Sequence, residues 1–228
     1  MNIYTTDHRI ESKFITNNLG LNKFLWLIRS NGFLRSYSNR IVNSLYYDNL
    51  HFSSLKENLA GITPRNKYRL RWYGKIKAVN NDFQFEKKIK LNQIGYKKII
   101  KFKNNMDFGS MDFSIKGLQK ITKVFDHRFL PLNLFPQLLC SYERQYFENS
   151  HSVRLTIDSH IKFWGIKNDI KNDLLKPFIN SNFNIVEIKF LPKQKNLLTN
   201  LFRKLPYPST RCSKYLLGHA KINKVSYI

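Results

Sequence analysis

Acid is what this sequence lacks most. Its 228 residues carry 15 Asp and Glu against 39 Lys and Arg, a formal charge of +24. A chain so basic must meet something anionic: nucleic acid, a membrane surface, a nucleotide or polyphosphate. Because Lys and Asn codons are AT-rich, the total is discounted, and the placement of the charges carries the argument. Cysteine is nearly missing. Cys140 and Cys212 lie far apart without metal-ligand spacing, so they read as reduced thiols serving as small core hydrophobes. No window approaches the ~18 apolar residues of a membrane span. The first residues, with Asp7, Glu11 and no apolar stretch, do not read as a secretory signal. A soluble, cytoplasmic protein is expected. There is no Gly-rich phosphate loop, and the six histidines show no metal-ligand pairing. No Ser/His/Asp or Cys/His arrangement can be argued. Repeats, Gly/Ser linkers and Pro-rich spacers are also lacking, so residues 1–228 read as a single domain.

What the chain does have is alternation. Six stretches place charged residues at every second position between apolar or aromatic ones: 9-RIESKFI-15, 68-YRLRWY-73, 83-FQFEKKIK-90, 142-YERQYF-147, 153-VRLTID-158 and 185-IVEIKF-190. A seventh, 43-NSLYYD-48, alternates with little charge. A period of two means a strand with one greasy and one polar face. Hydrophobic residues at 42% and aromatics at 14% agree with a packed, β-rich core. The polar faces are mostly cationic. Arg69, Arg71 and Tyr73 share one, and the two Arg stand roughly 6.5–7 Å apart along the strand. Gln84, Glu86, Lys88 and Lys90 share another, as do Tyr142, Arg144 and Tyr146. Arg154, Thr156 and Asp158 oppose a Val153, Leu155, Ile157 face, and Glu187 and Lys189 oppose Val186, Ile188 and Phe190. Arg9, Glu11 and Lys13 line the first strand. Each face alone fits either a solvated exterior or a phosphate-binding wall. Five strands repeating the arrangement would repel one another without a bound polyanion. Closed into a barrel with charge inward, they would make a polyanion tunnel.

Between the strands, Leu21, Phe24, Leu25 and Ile28 predict a helix over 19–32, and 52–61 predicts a short helix stopped by Gly61. Strands 65–74 and 82–90 pair as one hairpin. Residues 92–135 read as a helical insertion, with helical periodicity over 112–125. Strands 138–148 and 151–158 make a second hairpin, turning at Asn149 and Ser150. Residues 160–182 read as a strand remnant plus loop. Strand 184–191 precedes a Pro-started helix over 192–205, and a last helix spans 212–222. Strands outnumber helices, and hairpins imply an antiparallel sheet with the helices at its periphery: an α+β fold.

The ordered set of ESK–F, SLYYD, TPRNKYRLRWY, FEKKIK, YERQYF, VRLTID, VEIKF and SKY, spanning about Arg9 to Gly218, resembles the VTC (vacuolar transporter chaperone) domain. That domain is a polyphosphate polymerase domain of the triphosphate tunnel metalloenzyme superfamily. The resemblance implies a closed antiparallel β-barrel, the triphosphate tunnel, with basic walls and peripheral helices. It implies transfer of the γ-phosphoryl group of ATP to a growing polyphosphate chain with Mn²⁺ or Mg²⁺. By motif, Lys13 is the phosphate-binding lysine of the first strand, Arg69 and Arg71 the R-x-R pair, and Lys88 the lysine of the E-x-K strand. Arg144 follows Tyr142 in the tunnel wall, Arg154 opens R-x-T-x-D, and Lys189 lies two residues past Glu187. Glu187 matches the metal-binding glutamate, with Glu11 in support. Ser213, Lys214 and Tyr215 match the S-K-Y of the C-terminal helix at the tunnel mouth, in contact with nucleotide or chain.

Two departures qualify the match. Hydrolytic tunnel enzymes carry E-x-E-x-K on the first strand, whereas this chain has Arg9-Ile10-Glu11-Ser12-Lys13, which disfavours a two-metal hydrolase. These residues also contain neither membrane spans nor the inositol-phosphate-binding SPX module of eukaryotic complexes. The expected partners are ATP and polyphosphate or pyrophosphate, without nucleic acid. The rival readings are a tripolyphosphate or nucleoside-triphosphate hydrolase of the same fold, a non-enzymatic nucleic-acid or polyanion binder, and a polyphosphate binder without turnover.

Overall fold

The computed structural model describes residues 2–5, 9–76, 83–91, 94–102, 130–166, 179–180, 182–205 and 207–223. Ten strands appear among them: β1 (Asn2–Thr5), β2 (Ile10–Thr16), β3 (Leu34–Asp48), β4 (Arg65–Tyr73), β5 (Phe83–Leu91), β6 (Ile94–Phe102), β7 (Phe135–Glu148), β8 (Arg154–Gly165), β9 (Ile179–Asn180) and β10 (Asn184–Phe190). The described helices are α1 (Asn18–Ser30), α2 (Ser53–Ala60), α3 (Lys195–Lys204) and α4 (Lys214–Asn223), with a 3-10 turn at Pro192–Gln194. None of them is long and apolar enough to cross a membrane.

All strands belong to one antiparallel sheet, in the order β1-β6-β5-β4-β3-β7-β8-β10-β2, with β9 added to β8. The sheet curls strongly. Arg9, one residue before β2 at one edge, makes an isolated antiparallel bridge to Gly95 of β6 near the other. The α+β class and antiparallel curled sheet agree with expectation. Closure of the barrel rests on that one bridge, not on a continuous ladder, among the described residues.

Alternation explains which way the sheet curls. Its convex face is apolar. Leu45, Tyr47, Leu70, Trp72, Phe85 and Ile100 form one cluster there. Leu155, Ile157, Val186 and Ile188 form a second, covered by Phe24 and Ile28 of α1 and Leu198 and Leu201 of α3. The concave face is divided. At one end Val42, Leu138, Cys140, Phe163 and Ile185 pack around Tyr215 of α4 and Leu55 of α2. Much of the rest of the concave face is charged. On β8 a register shift against β7 between Ser141 and Glu143 brings Asp158 onto the face that Phe163 occupies.

Helices α1 and α2 form where their patterns place them. Asn17 caps α1 by accepting from the Gly20 amide at 2.8 Å. Gly61 ends α2 at φ 72°, a left-handed cap that suits glycine. Several boundaries differ from expectation. The strand expected at 43–48 begins at Leu34; its first eight residues are exposed and carry no apolar alternation, which hides them from the sequence pattern. Residues 94–102, expected to open a helical insertion, are β6. Ile99 and Ile100 are both buried, one on each face, and neighbouring apolar residues hide a period of two. The helix expected over 112–125 lies outside the described residues. Strand β7 starts at 135, β8 runs from Arg154 through Gly165, and 179–180 form β9; residues 167–178 lie outside the described ones. The Pro192 helix starts as a 3-10 turn, and α4 starts at Lys214, two residues later than expected.

Candidate functional site

The concave charged surface is built from three ion-pair groups. On β4 and β5, Arg69 Nε donates to Glu86 Oε2 at 2.5 Å, and Arg71 Nη1 lies 3.4 Å from Oε1. Lys97 of β6 reaches the same Oε1 at 3.3 Å. Glu86 is only 1% exposed, so these three cations are what keep it ionised. Burial pushes its carboxyl up, but Arg69, Arg71 and Lys97 outweigh that and hold it well below the ordinary range.

On β7 and β8, Arg144 holds Asp158 in a two-pronged bond at 2.6 and 2.7 Å, and Lys214 of α4 donates to Asp158 Oδ2. Lys214 also sits 4.5 Å from the centre of the Tyr142 ring, and Arg144 5.2 Å from it. Arg71 Nη2 donates to the Tyr142 hydroxyl at 3.3 Å, which joins this group to the first. Burial raises the Tyr142 phenol, yet Arg144, Arg71 and Lys214 together hold it below its ordinary value.

The third group spans β2, β10 and β5. Lys88 Nζ donates to both oxygens of Glu11 at 2.8 Å. Lys189 lies 2.9 Å from Glu187 and 3.6 Å from Glu11, and Lys13 lies 3.4 Å from Glu11 and 3.9 Å from Glu187. Burial and Glu187 push the Glu11 carboxyl up; Lys88, Lys13 and Lys189 outweigh both and hold it low. Burial pushes Glu187 up too, but Lys189, Lys13 and Arg144 hold it well below the ordinary range.

Among the described residues of this surface, cations exceed carboxylates. Lys13, Lys67, Arg69, Arg71, Lys88, Lys97, Arg144, Lys189 and Lys214 face Glu11, Glu86, Asp158 and Glu187, nine against four. The strain shows in the lysines. Burial, with Lys13 and Lys189 against Glu11, lowers Lys88 to about 8. Burial, with Arg71 and Arg69 against Glu86, lowers Lys97 to about 8. Lys67 lies well below its ordinary value because of burial and then Lys13, Lys88, Arg65 and Arg69.

Of the residues expected from the sequence, Lys13, Arg69, Arg71, Lys88, Tyr142, Arg144, Lys189, Lys214, Glu11 and Glu187 meet in this surface. Ser213 stands at its edge, where its hydroxyl accepts from Lys67 at 3.1 Å. Arg154 stands apart: its side chain is 56% exposed and lies 3.7 Å from Glu148. The Tyr215 hydroxyl donates to Asp48 at 2.7 Å, and Asp48 in turn accepts from the Ser54 and Leu55 amides that start α2. It ties α4 to α2 and β3. Lys67, Glu86, Lys97 and Asp158 were not expected as site residues. Glu86 and Asp158 were visible on the right faces by alternation, whereas Lys97 fell in the supposed helix.

Glu11 and Glu187 are the residues that could hold a metal. They lie diagonally across the β2–β10 ladder, where Glu187 opposes Lys13 and Glu11 opposes Lys189. Both stay ionised, and both offer hard oxygens. No group of three or more His, Cys, Asp or Glu that could hold a metal occurs among the described residues. One or two carboxylates supplemented by substrate phosphates suit Mg²⁺ or Mn²⁺. The two carboxylates have the right chemistry for such an ion, which would take oxygens now paired with Lys88 and Lys189.

A family model for the VTC domain matches residues 7–223. No curated protein matches the chain. Among solved structures it is similar to a candidate adenylate cyclase from Bacillus halodurans, 11% identical over 93% of this chain and 97% of that one, TM-score 0.56. It is also similar to a Hippeastrum protein named as a candidate adenylyl cyclase with a dominant triphosphatase activity, 12% identical over 93% and 95%, TM-score 0.54. A conserved hypothetical protein from Pyrococcus furiosus is 14% identical over 92% and 99%, TM-score 0.51. At these identities the likeness is one of fold.

Proposed function

The chain belongs to the VTC domain family, and we propose that it is a metal-dependent polyphosphate polymerase that transfers the γ-phosphoryl group of ATP to a growing polyphosphate chain. The observation that carries this reading is the excess, among the described residues, of nine cations over four carboxylates on one concave surface. A surface on which burial and neighbouring cations lower Lys67, Lys88 and Lys97 is relieved by a ligand with closely spaced negative charges.

Phosphoryl transfer asks a protein mainly for alignment and for positive charge around the equatorial and bridging oxygens. Arg69 and Arg71 offer guanidinium forks from β4, and Arg144 faces them across Tyr142. Lys214 extends the cationic wall beside Tyr142, and Ser213 stands at its edge beside Lys67. Lys13, Lys88 and Lys189 surround the carboxylates that would hold Mn²⁺ or Mg²⁺, namely Glu187 with Glu11. A bound ion of this kind neutralises charge on the donor's phosphate oxygens. The acceptor phosphate is already anionic, so no general base is required of the protein. Excluding water from the cationic interior favours transfer over hydrolysis.

The test is to incubate the protein with ATP and Mn²⁺ and resolve the phosphate products on a gel. A ladder of polyphosphate is expected. Free phosphate without a ladder would assign a hydrolase instead, and no turnover with metal-independent oligonucleotide binding would overturn the enzyme reading.

A further inference from the structure

Past Arg71 on β4 and Arg144 on β7, the concave face becomes rich in aromatic rings. Tyr73 lies two residues past Arg71 on β4, and Tyr146 two residues past Arg144 on β7. Each is therefore one inward position, about 6.6 Å, farther along its strand. Tyr37 of β3 pairs with Tyr146 in the ladder, and their rings meet edge to face at 5.8 Å. Arg40 sits among all three: its guanidinium carbon is 5.9 Å from the Tyr37 ring centre, 5.8 Å from Tyr73 and 6.0 Å from Tyr146.

This collar depends on an irregular strand. Tyr37 and Arg40 are three residues apart, so an unbroken strand would point them to opposite faces. The β3–β7 register shifts between Arg35 and Tyr37 and again between Tyr37 and Arg40, which brings both side chains to one side. Arg40 opposes Arg144 in that ladder, so the collar adjoins the anion-binding surface directly. Tyr37 is 59% exposed, so much of its side chain is open to solvent at this end.

We propose that the collar of Tyr37, Tyr73, Tyr146 and Arg40 is a stacking site for the nucleobase of a nucleoside triphosphate whose phosphates lie on Arg71 and Arg144. This rests on the phosphate-handling reading above and adds the part of the substrate that distinguishes a nucleotide from inorganic triphosphate. Tyrosine faces stack on any base, and an arginine plane adds cation–π contact. The subsite therefore favours nucleotides over inorganic triphosphate and discriminates little among bases. Phosphate charge alone does not require three aromatic rings.

The experiment compares ATP with inorganic tripolyphosphate, measuring both binding by calorimetry and turnover, for the wild-type chain, Tyr37→Ala and Tyr37→Trp. Tyr37→Ala is expected to weaken ATP binding and raise its KM by roughly 5- to 100-fold, the range that losing one base stack produces. Tripolyphosphate should bind as before, and Tyr37→Trp should keep or tighten ATP binding. Tyr146→Leu provides a second, independent test of the same selectivity. Equal losses for ATP and tripolyphosphate, or no loss for either, would overturn the stacking site while leaving the phosphate surface in place. Failure of the wild-type chain to bind either compound would overturn the underlying reading and this inference together.

Discussion

Lys88 on β5 grips both carboxylate oxygens of Glu11 on β2 at 2.8 Å, although those strands are not neighbours in the sheet. The contact crosses the concave space that the sheet encloses, and it runs beside the single backbone bridge from Arg9 to Gly95. Even with Glu11 beside it, burial and the nearby Lys13 and Lys189 lower Lys88 to about 8.

A pH dependence follows. In the free protein Lys88 and Lys97 lose their protons near pH 8. A bound polyanion favours the charged form of both, so the complex holds more protons than the free protein above that pH. Binding must therefore take up protons, and affinity must fall as pH rises from about 7 to 9. Calorimetry of tripolyphosphate binding at about pH 8.5, in two buffers of different ionisation heat, measures the uptake. Flat affinity with no uptake would rule out these lysines as ligands of the anion.

Glu86 should matter to the fold as much as to the site. Its buried carboxylate serves Arg69, Arg71 and Lys97 together. Glu86→Gln leaves three enclosed cations without their shared counter-charge, and a loss of about 3–5 kcal/mol is expected. Chemical denaturation checks it. Because the carboxyl is held far below its ordinary value, its stabilising effect is in place above about pH 4.5 and fades only as the pH falls well below that. Tripolyphosphate should recover part of the loss by supplying anionic oxygen to the same arginines.

How much of this could be read from the chain is clearest at these residues. Arg69, Arg71, Lys88, Arg144 and Glu187 were placed on their faces by a period of two, and the structure keeps those faces. The pairing was less legible. Alternation puts Glu86 on one face with Lys88, but Glu86 bonds Arg69 and Arg71 on the neighbouring strand and Lys97 on the other side. Alternation gives a residue's face; only the ladder register gives its neighbour. Lys97 was lost for another reason, since the buried Ile99–Ile100 pair erased the alternation of β6. Tyr37 and Arg40 were hidden by register shifts, which a regular pattern does not anticipate.

Tyr215 tests the difference between a substrate contact and an anchor. Its hydroxyl reaches Asp48, and its ring packs at 5.4 Å on Tyr46. Tyr215→Phe removes one hydrogen bond to a buried carboxylate, with an expected loss of about 1–3 kcal/mol. The melting temperature should fall while the KM for ATP stays close to the parent value. A KM that rises many-fold with unchanged stability would instead make Tyr215 a ligand of the nucleotide.

Glu187 carries the metal assignment. It is 8% exposed, ionised, and faces the same space as Glu11. Glu187→Gln keeps the shape and one carbonyl oxygen but removes the charge that a hard cation requires. The Mn²⁺ concentration needed for half-maximal turnover should rise by roughly 10- to 100-fold, and excess Mn²⁺ should restore part of the rate. Tripolyphosphate binding measured without metal should change little, because the arginines and Lys214 remain. A purely structural partner of Lys189 and Lys13 would behave differently. Its replacement would lower stability and rate at every metal concentration and leave the half-saturation point unmoved, and that pattern would remove Glu187 from the metal site.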